Sequence, residues 1–239
     1  MPLESATMLG RRACVLLTLL LVSTSPGAAR ASVPSPANSI VPTHFSLVGT
    51  SNGIADPAGG FTVILRDLAN VPIEGALVVV DLSQCPDVRL CADPHDGCVP
   101  GSLATMGGGG GPPPFDSCQT VDCATRTVRK FSSAAGTASF RIVGSSIGPM
   151  SGSGSPAHCA RVYEDGVLIG SPSVSLYDLN GGGVGPSDLS VWLTDFFGPY
   201  NPPRSDYNGS GLVDPADLSS WLILFFGAGS AVGCTNLCP

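Results

Sequence analysis

A near-repeat at the C-terminal end constrains the fold of this chain more than any other feature of its sequence. Residues 178–198 begin Asp-Leu-Asn-Gly-Gly-Gly, and residues 206–227 begin Asp-Tyr-Asn-Gly-Ser-Gly. Each copy continues through an Asp-Leu-Ser triplet into an apolar stretch that ends in Phe-Phe-Gly. An oxygen-rich loop that is turned by glycines and followed by a short apolar helix is typical of a calcium-binding unit.

The second copy offers an oxygen ligand at every position that a twelve-residue calcium loop requires. For positions one, three, five, seven, nine and twelve these are Asp206, Asn208, Ser210, Leu212 (through its backbone carbonyl), Asp214 and Asp217. Gly211 occupies the sixth position, where the loop turns sharply. Asp217 stands where glutamate is usual, and its shorter side chain predicts tighter or less complete coordination. The alternative is an Asp/Gly turn without a metal.

The first copy is a shortened version of the same loop. Asp178, Asn180 and Asp188 match the first, third and twelfth positions, but Gly182 brings no side-chain oxygen to the fifth. The loop is also one residue shorter than the second. This pattern predicts weak calcium binding, or retention of the turn without the ion.

A helix is predicted after each loop, because apolar residues recur there at helical spacing. They are Leu189, Trp192, Leu193 and Phe196 in the first copy, and Leu218, Trp221, Leu222 and Phe225 in the second. Gly198 and Gly227 follow as helix ends. The two apolar faces should pack together, with both tryptophans in the core rather than stacked on a sugar.

With both loops and both helices in view, residues 177–227 resemble a type I dockerin, the duplicated calcium-loop-and-helix module that docks onto cohesin domains. The resemblance implies calcium-ordered loops and attachment to a cohesin-type scaffold or cell-surface partner, within polysaccharide-degrading machinery. The chain departs from the family where Pro186-Ser187 and Pro215-Ala216 replace a frequent pair of small hydroxyl residues. Three prolines within residues 199–204 also oppose the family's connecting helix.

The N-terminal residues predict export. Arg11 and Arg12 precede the apolar run 13–22, and Ala29-Arg-Ala31 follows as an A-x-A cleavage site. Residues 1–31 are therefore expected to be a signal peptide, and no later segment is apolar enough to span a membrane. The expected location is secreted, extracellular or at the cell surface.

The cysteines fit an oxidising compartment. Eight lie after residue 31: Cys85, Cys91, Cys98, Cys118, Cys123, Cys159, Cys234 and Cys238. An even number in an exported chain predicts a disulfide framework. The first six alone allow fifteen pairings, and Cys234–Cys238 is the simplest local pair. A zinc site at Cys91, His95 and Cys98 is the alternative.

The net negative charge of the chain excludes two classes of partner. Removing residues 1–31 lowers Lys plus Arg from 11 to 8 and Asp plus Glu from 18 to 17, which leaves a net charge of −9. An acidic chain with a single lysine has no electrostatic footprint for nucleic acid or for an anionic membrane surface.

Residues 32–176 are predicted to form a β domain, because short β-rich runs alternate with turns. The runs are 61–67, 76–82, 127–131, 137–143 and a hairpin at 160–169. The segments Val71-Pro-Ile-Glu-Gly-Ala and Gly136-Thr-Ala-Ser-Phe resemble bacterial Ig-like and carboxypeptidase-regulatory-like domains. The expected fold is therefore mainly β, an Ig-like β-sandwich with a small α-helical dockerin-like calcium module. Residues 83–126 form a Gly/Pro/Cys-rich insertion, 177–230 the calcium module and 231–239 a Cys-containing tail.

No catalytic constellation stands out. The carboxylates show no obvious facing pair, and the three histidines are isolated in sequence. Ser51 and Ser146 lie in G-x-S-x-G segments, but neither segment is followed by the helical pattern that a nucleophile elbow requires. The expected function is therefore non-catalytic attachment through the calcium module. The alternatives are a surface or adhesion protein whose calcium module is only a stabiliser, or a carbohydrate-binding accessory domain.

Overall fold

The structure, a computed structural model, describes residues 32–97, 118–147, 154–227, 230 and 232–239. The predicted signal peptide and residues 98–117 of the Gly/Pro/Cys-rich insertion, including Cys98, lie outside these residues. The strands, in chain order, are β1 (His44–Leu47), β2 (Thr50–Ser51), β3 (Ile54–Ala55), β4 (Gly60–Ile64), β5 (Leu77–Asp81), β6 (Val88–Leu90), β7 (Thr120–Asp122), β8 (Thr127–Phe131), β9 (Thr137–Arg141), β10 (Gly144–Ser146), β11 (Arg161–Glu164), β12 (Val167–Gly170) and β13 (Ser173–Leu176). The predicted mainly β fold is confirmed.

The largest sheet has five antiparallel strands in the order β12-β11-β5-β8-β7. Its central strand β5 alternates buried Val78 and Val80 with half-buried neighbours. This alternation is the period-two pattern of a strand with one face in the core. The predicted hairpin is the β11–β12 pair, in which Asp165 and Gly166 form the turn with φ angles of 46° and 85°.

The predicted runs contain strands, but β4 does not pair with β5, and β8 does not pair with β9. β4 pairs with β9, setting Phe61 opposite Phe140, whereas β5 pairs with β8, setting Val80 opposite Val128. The chain therefore crosses from the β4–β9 ribbon to the β5–β8 ribbon between β4 and β5. It crosses back between β8 and β9. Whether these ribbons form an Ig-like sandwich stays a prediction, as does a domain boundary at residue 176.

A parallel pair, β1 with β13, joins the start of the described chain to the C-terminal repeat. Leu47 and Leu176 are opposite each other and fully buried. β13 leads directly into Asp178, the first residue of the first loop. Residues from the β strands and both tryptophans belong to one hydrophobic cluster, and Ser32–Pro239 form one compact unit.

Both predicted helices are present, α1 at Pro186–Phe197 and α2 at Pro215–Phe226. Each begins with proline, which suits the first helical position because its missing N–H would have no partner there. Gly198 and Gly227 follow the last helical residues, as expected. Trp192 and Trp221 are each 1% exposed, so their predicted place in the core is confirmed.

Three disulfides are seen among the described residues: Cys85–Cys159, Cys91–Cys234 and Cys123–Cys238. The expected local pair Cys234–Cys238 is wrong, because each of these cysteines bonds instead to a cysteine within residues 32–176, called the β region below. The sequence separations of their bonds are 143 and 115 residues. Cys91 is therefore not available to the alternative zinc site.

Candidate metal centre

The second loop (residues 206–217) is folded around the carboxylate of its first residue. Asp206 Oδ1 accepts the N–H of Ser210 at 3.0 Å, and Oδ2 accepts the N–H of Gly211 at 2.7 Å. Gly209 and Gly211 have φ angles of 70° and 86°, which glycine adopts without strain. Asp206 is only 5% exposed, so the carboxylate lies inside the loop.

Asp217, the last loop residue, closes the loop from the first turn of α2. Its Oδ1 accepts N–H groups from Tyr207 at 2.7 Å and Asn208 at 3.0 Å, and its Oδ2 accepts the N–H of Asp214 at 2.9 Å. Burial raises the pKa of Asp217, and the nearby charge of Asp206 raises it further. Two negative charges thus share a buried space, which a cation would stabilise.

The other predicted ligands of this loop lie at its edge. Asn208, Ser210 and Leu212 are exposed and Asp214 is half-buried. Asn208 Oδ1 accepts the Ser210 N–H at 2.8 Å, while Asp214 caps α2 by accepting the Ala216 N–H at 2.7 Å. The loop therefore has buried carboxylates at both ends and neutral oxygens facing outward.

The first loop (residues 178–188) repeats this arrangement. Asp178 accepts N–H groups from Gly181 at 2.6 Å and Gly183 at 2.9 Å. Asp188 accepts those of Leu179 and Gly185, both at 2.7 Å. Burial raises the pKa of Asp188 to about 6, and the charge of Asp178 contributes to the rise.

Asn180 lies beside these carboxylates. Its Oδ1 accepts the N–H of Gly182 at 3.1 Å, and its Nδ2 donates to Ser187 Oγ at 2.6 Å. In the first loop Asn180 thus lies beside the two carboxylates, whereas in the second loop Asp206 and Asp217 are buried and the other four predicted ligands lie at the loop edge.

The donor set fits calcium. An ionised carboxylate has about four lone-pair sites, so Asp206 and Asp217 can accept their N–H bonds and still bind a cation. Among the described residues no group of three or more His, Cys, Asp or Glu side chains is found. An ion in the second loop would use amide, hydroxyl and carbonyl oxygens together with the carboxylates of Asp206, Asp214 and Asp217, which is the hard-oxygen chemistry that calcium prefers.

His44 on β1 is a neighbour of the second loop that sequence reasoning missed. A Cβ built on Gly209 would lie 2.8 Å from the His44 Cβ, so the ring packs against the loop backbone. His44 Nε2 is 2.9 Å from Ser175 Oγ on β13. Burial lowers the pKa of His44, although the charges of Asp206 and Asp217 oppose this. An isolated histidine far from the loop in sequence gives no signal of this contact.

A buried ion pair fixes the connection between the two copies. Arg204 Nη2 is 2.7 Å from Asp195 Oδ1, and Ser205 Oγ donates to Asp195 Oδ2 at 2.6 Å. Arg204 and Asp195 are 2% and 5% exposed. The short 3-10 turn Pro203–Ser205 takes the place of the helix that the dockerin resemblance implies between the copies, as its prolines predict.

The serines of the G-x-S-x-G segments lie at strand ends. Ser51 ends β2 and is followed by a turn into β3, and Ser146 ends β10. A nucleophile elbow instead places its serine between a strand and a helix.

No protein family, curated protein or solved structure matches the chain. In the described part of the chain, no helix is both long and apolar enough to cross a membrane. The fold and the loops therefore define a class in general terms only, a mainly β protein with two acidic loop–helix units at its C-terminal end.

Proposed function

We propose that this chain is an exported, non-catalytic calcium-binding protein in which calcium stabilises the loop–helix units against the β region. The observation that carries the proposal is the second loop, where Asp206 and Asp217 are buried together and neutral oxygens complete the set. Asp206, Asn208, Ser210, Leu212, Asp214 and Asp217 would hold the ion. Calcium would supply the positive charge that two buried carboxylates otherwise lack.

The covalent and buried connections of the repeat support a role within the molecule. Cys91–Cys234 and Cys123–Cys238 fasten the chain end to the β region. β1 pairs with β13 just before the first loop, and His44 packs on the second. A loop ordered by calcium in this setting would stabilise contacts between segments that are distant in sequence.

Attachment to a partner protein is a second candidate, favoured by exposed apolar side chains on both helices. Phe197 on α1, and Ile223 and Phe226 on α2, are 79%, 76% and 79% exposed. Apolar side chains that remain exposed on two related helices suit a protein contact. A cohesin-type or cell-surface protein is the partner that the dockerin resemblance suggests, with polysaccharide degradation as its setting. Carbohydrate binding through the tryptophans has less support, because both are buried.

Calorimetric titration of residues 32–239 with calcium tests the principal proposal. We expect binding heat, and Asp206→Ala should remove the transition of the second loop. Asp81→Ala, which removes the same charge from β5, is the matched control and should leave the titration unchanged. At a free calcium concentration 100 times Kd, the ion should add about 2.7 kcal/mol to the free energy of unfolding. Absence of binding heat in the unmodified protein would refute the proposal.

Pull-down against cohesin domains tests the second candidate. The double variant Phe197→Ser/Phe226→Ser should lose capture while keeping calcium binding, because neither residue is a proposed ligand. Capture that is unaffected by this variant would show that the exposed helix residues are not the contact.

A further inference from the structure

The first loop lacks two neutral oxygens that the second one has. Val184 and Val213 are both buried and both precede the residue before a helix, so they correspond in the two copies. The residue missing from the first loop is therefore the counterpart of Leu212, whose carbonyl would serve at position seven. Gly182 also replaces Ser210 at position five.

The C-terminal tail, defined here as Ser230 and residues 232–239, lies against this deficient side of the first loop. The Val184 N–H donates to the Ser230 carbonyl at 3.0 Å. A Cβ built on Gly233 would lie 2.5 Å from the Gly183 nitrogen and 3.1 Å from Asp178 Oδ2. Only a glycine fits so closely against the loop and its first carboxylate.

The second loop has an open surface at the corresponding place. A Cβ built on Gly211 would meet no atom within 4 Å, and Leu212 is 57% exposed. The tail thus packs on the loop that lacks ligands and not on the complete one.

Contacts with the β region hold the tail in place. The Thr50 N–H donates to the Val232 carbonyl at 2.9 Å, and the Val232 N–H donates back to Thr50 at 3.3 Å. The next residue but one, Cys234, is bonded to Cys91. These bonds fix the tail in place against the first loop.

The hydroxyl of Ser230 is a further indication that the tail supplies a ligand to the first loop. Ser230, whose carbonyl contacts the first loop, is fully buried, and its hydroxyl oxygen has no hydrogen-bond partner among the described residues. A buried hydroxyl without a partner is unfavourable unless it binds something else. A hydroxyl oxygen is also the kind of ligand that Ser210 offers in the second loop.

We propose that the C-terminal tail completes the first loop as a second calcium site, with the Ser230 hydroxyl in place of one of the two missing oxygens. Asp178, Asn180 and Asp188 are the other ligands. This inference rests on the proposed function, because it requires that the loops bind calcium. It predicts two ions for each molecule, where the loop sequences alone predict one strong site.

Calcium titration of residues 32–239 with intact disulfides tests the proposal. We expect two ions in the unmodified protein and one in the Asp206→Ala variant, where the remaining step reports the first loop. Adding Ser230→Ala to Asp206→Ala should weaken that step by about tenfold or more. The matched change Ser210→Ala, made in an Asp178→Ala background, should weaken the step of the second loop instead.

Two further measurements separate a ligand from a merely structural residue. Ser230→Ala should not lower the Tm in EDTA, because its hydroxyl has no partner to lose, but it should reduce the rise in Tm on adding calcium. Gly233→Ala should remove calcium binding by the first loop, since the added Cβ would collide with the Gly183 nitrogen. Binding of one ion, abolished by Asp206→Ala, would overturn this inference and leave the proposed function standing. Two ions with affinities unaffected by Ser230→Ala would also overturn it, whereas no binding would refute the proposed function itself.

Discussion

Glu164 should make the protein less stable as the pH rises through neutrality. This residue ends β11, opposite Val78, and is fully buried. Neither carboxylate oxygen makes a hydrogen bond of good geometry. Burial raises the pKa of Glu164 from 4.5 to about 7, with a further contribution from the charge of Asp165, and the Ser39 hydroxyl only partly opposes the rise.

The sign and size of the effect follow from linkage between protonation and folding. The folded state holds the Glu164 proton more tightly than the unfolded chain, so stability is highest below about pH 4.5 and is lost as the pH rises to about 7. At about 1.36 kcal/mol for each pH unit, the loss is about 3 kcal/mol. Glu164→Gln, which resembles the protonated form, should not show this loss.

Urea unfolding of residues 32–239 between pH 4 and pH 8 would measure the effect. EDTA should be present, so that calcium does not contribute. Subtracting the free energy of unfolding of the unmodified protein from that of Glu164→Gln cancels the other titrating groups, including Asp188. The difference should be small at pH 4 and reach about 3 kcal/mol in favour of the variant by pH 8. A difference that is independent of pH would refute the assignment.

Two further predictions concern stability alone. Trp221→Ala should lower the free energy of unfolding by about 3–5 kcal/mol, because the ring is buried. Phe226 is 79% exposed, so Phe226→Ala should change this free energy by about 0.5 kcal/mol or less. Thermal unfolding of both variants checks this, and equal losses would contradict it. Replacing Cys123 and Cys238 with serine should lower the free energy of unfolding, measured with urea under oxidising conditions, by about 2–5 kcal/mol. Unchanged stability would show that this bond does not restrict the conformations of the unfolded chain.

Local pattern was sufficient for the helices and for most of the longer strands. The helical spacing of Trp192 and Phe196 recurs at Trp221 and Phe225, and both pairs of rings are stacked in the folded helices. The alternation in Thr137–Arg141 likewise marks β9 correctly. These elements are set by the period of their own side chains, which can be read within one segment.

Pairing between distant segments could not be read in this way. β1 and β13 are short and about 130 residues apart, so no single turn in the sequence joins them and indicates that they pair. The partners of Cys234 and Cys238 depend on where the chain end lies in the fold, and proximity in sequence favours the wrong bond. His44 and Ser230 reach the loops only through such long-range contacts, so the loop motif gives no indication of either residue.

The two loops differ in the long-range contacts that they make as well as in their oxygen ligands. The second loop has a full oxygen set of its own, and its neighbour His44 contributes packing against Gly209. The first loop lacks oxygens at positions five and seven, and the tail that packs on it is fixed by the Cys91–Cys234 bond. If the tail supplies a ligand, calcium binding and this disulfide stabilise each other, because each restrains the same segment against the first loop. Reduction of this bond would then weaken calcium binding by the first loop, whereas the second loop would bind calcium whether or not the bond had formed.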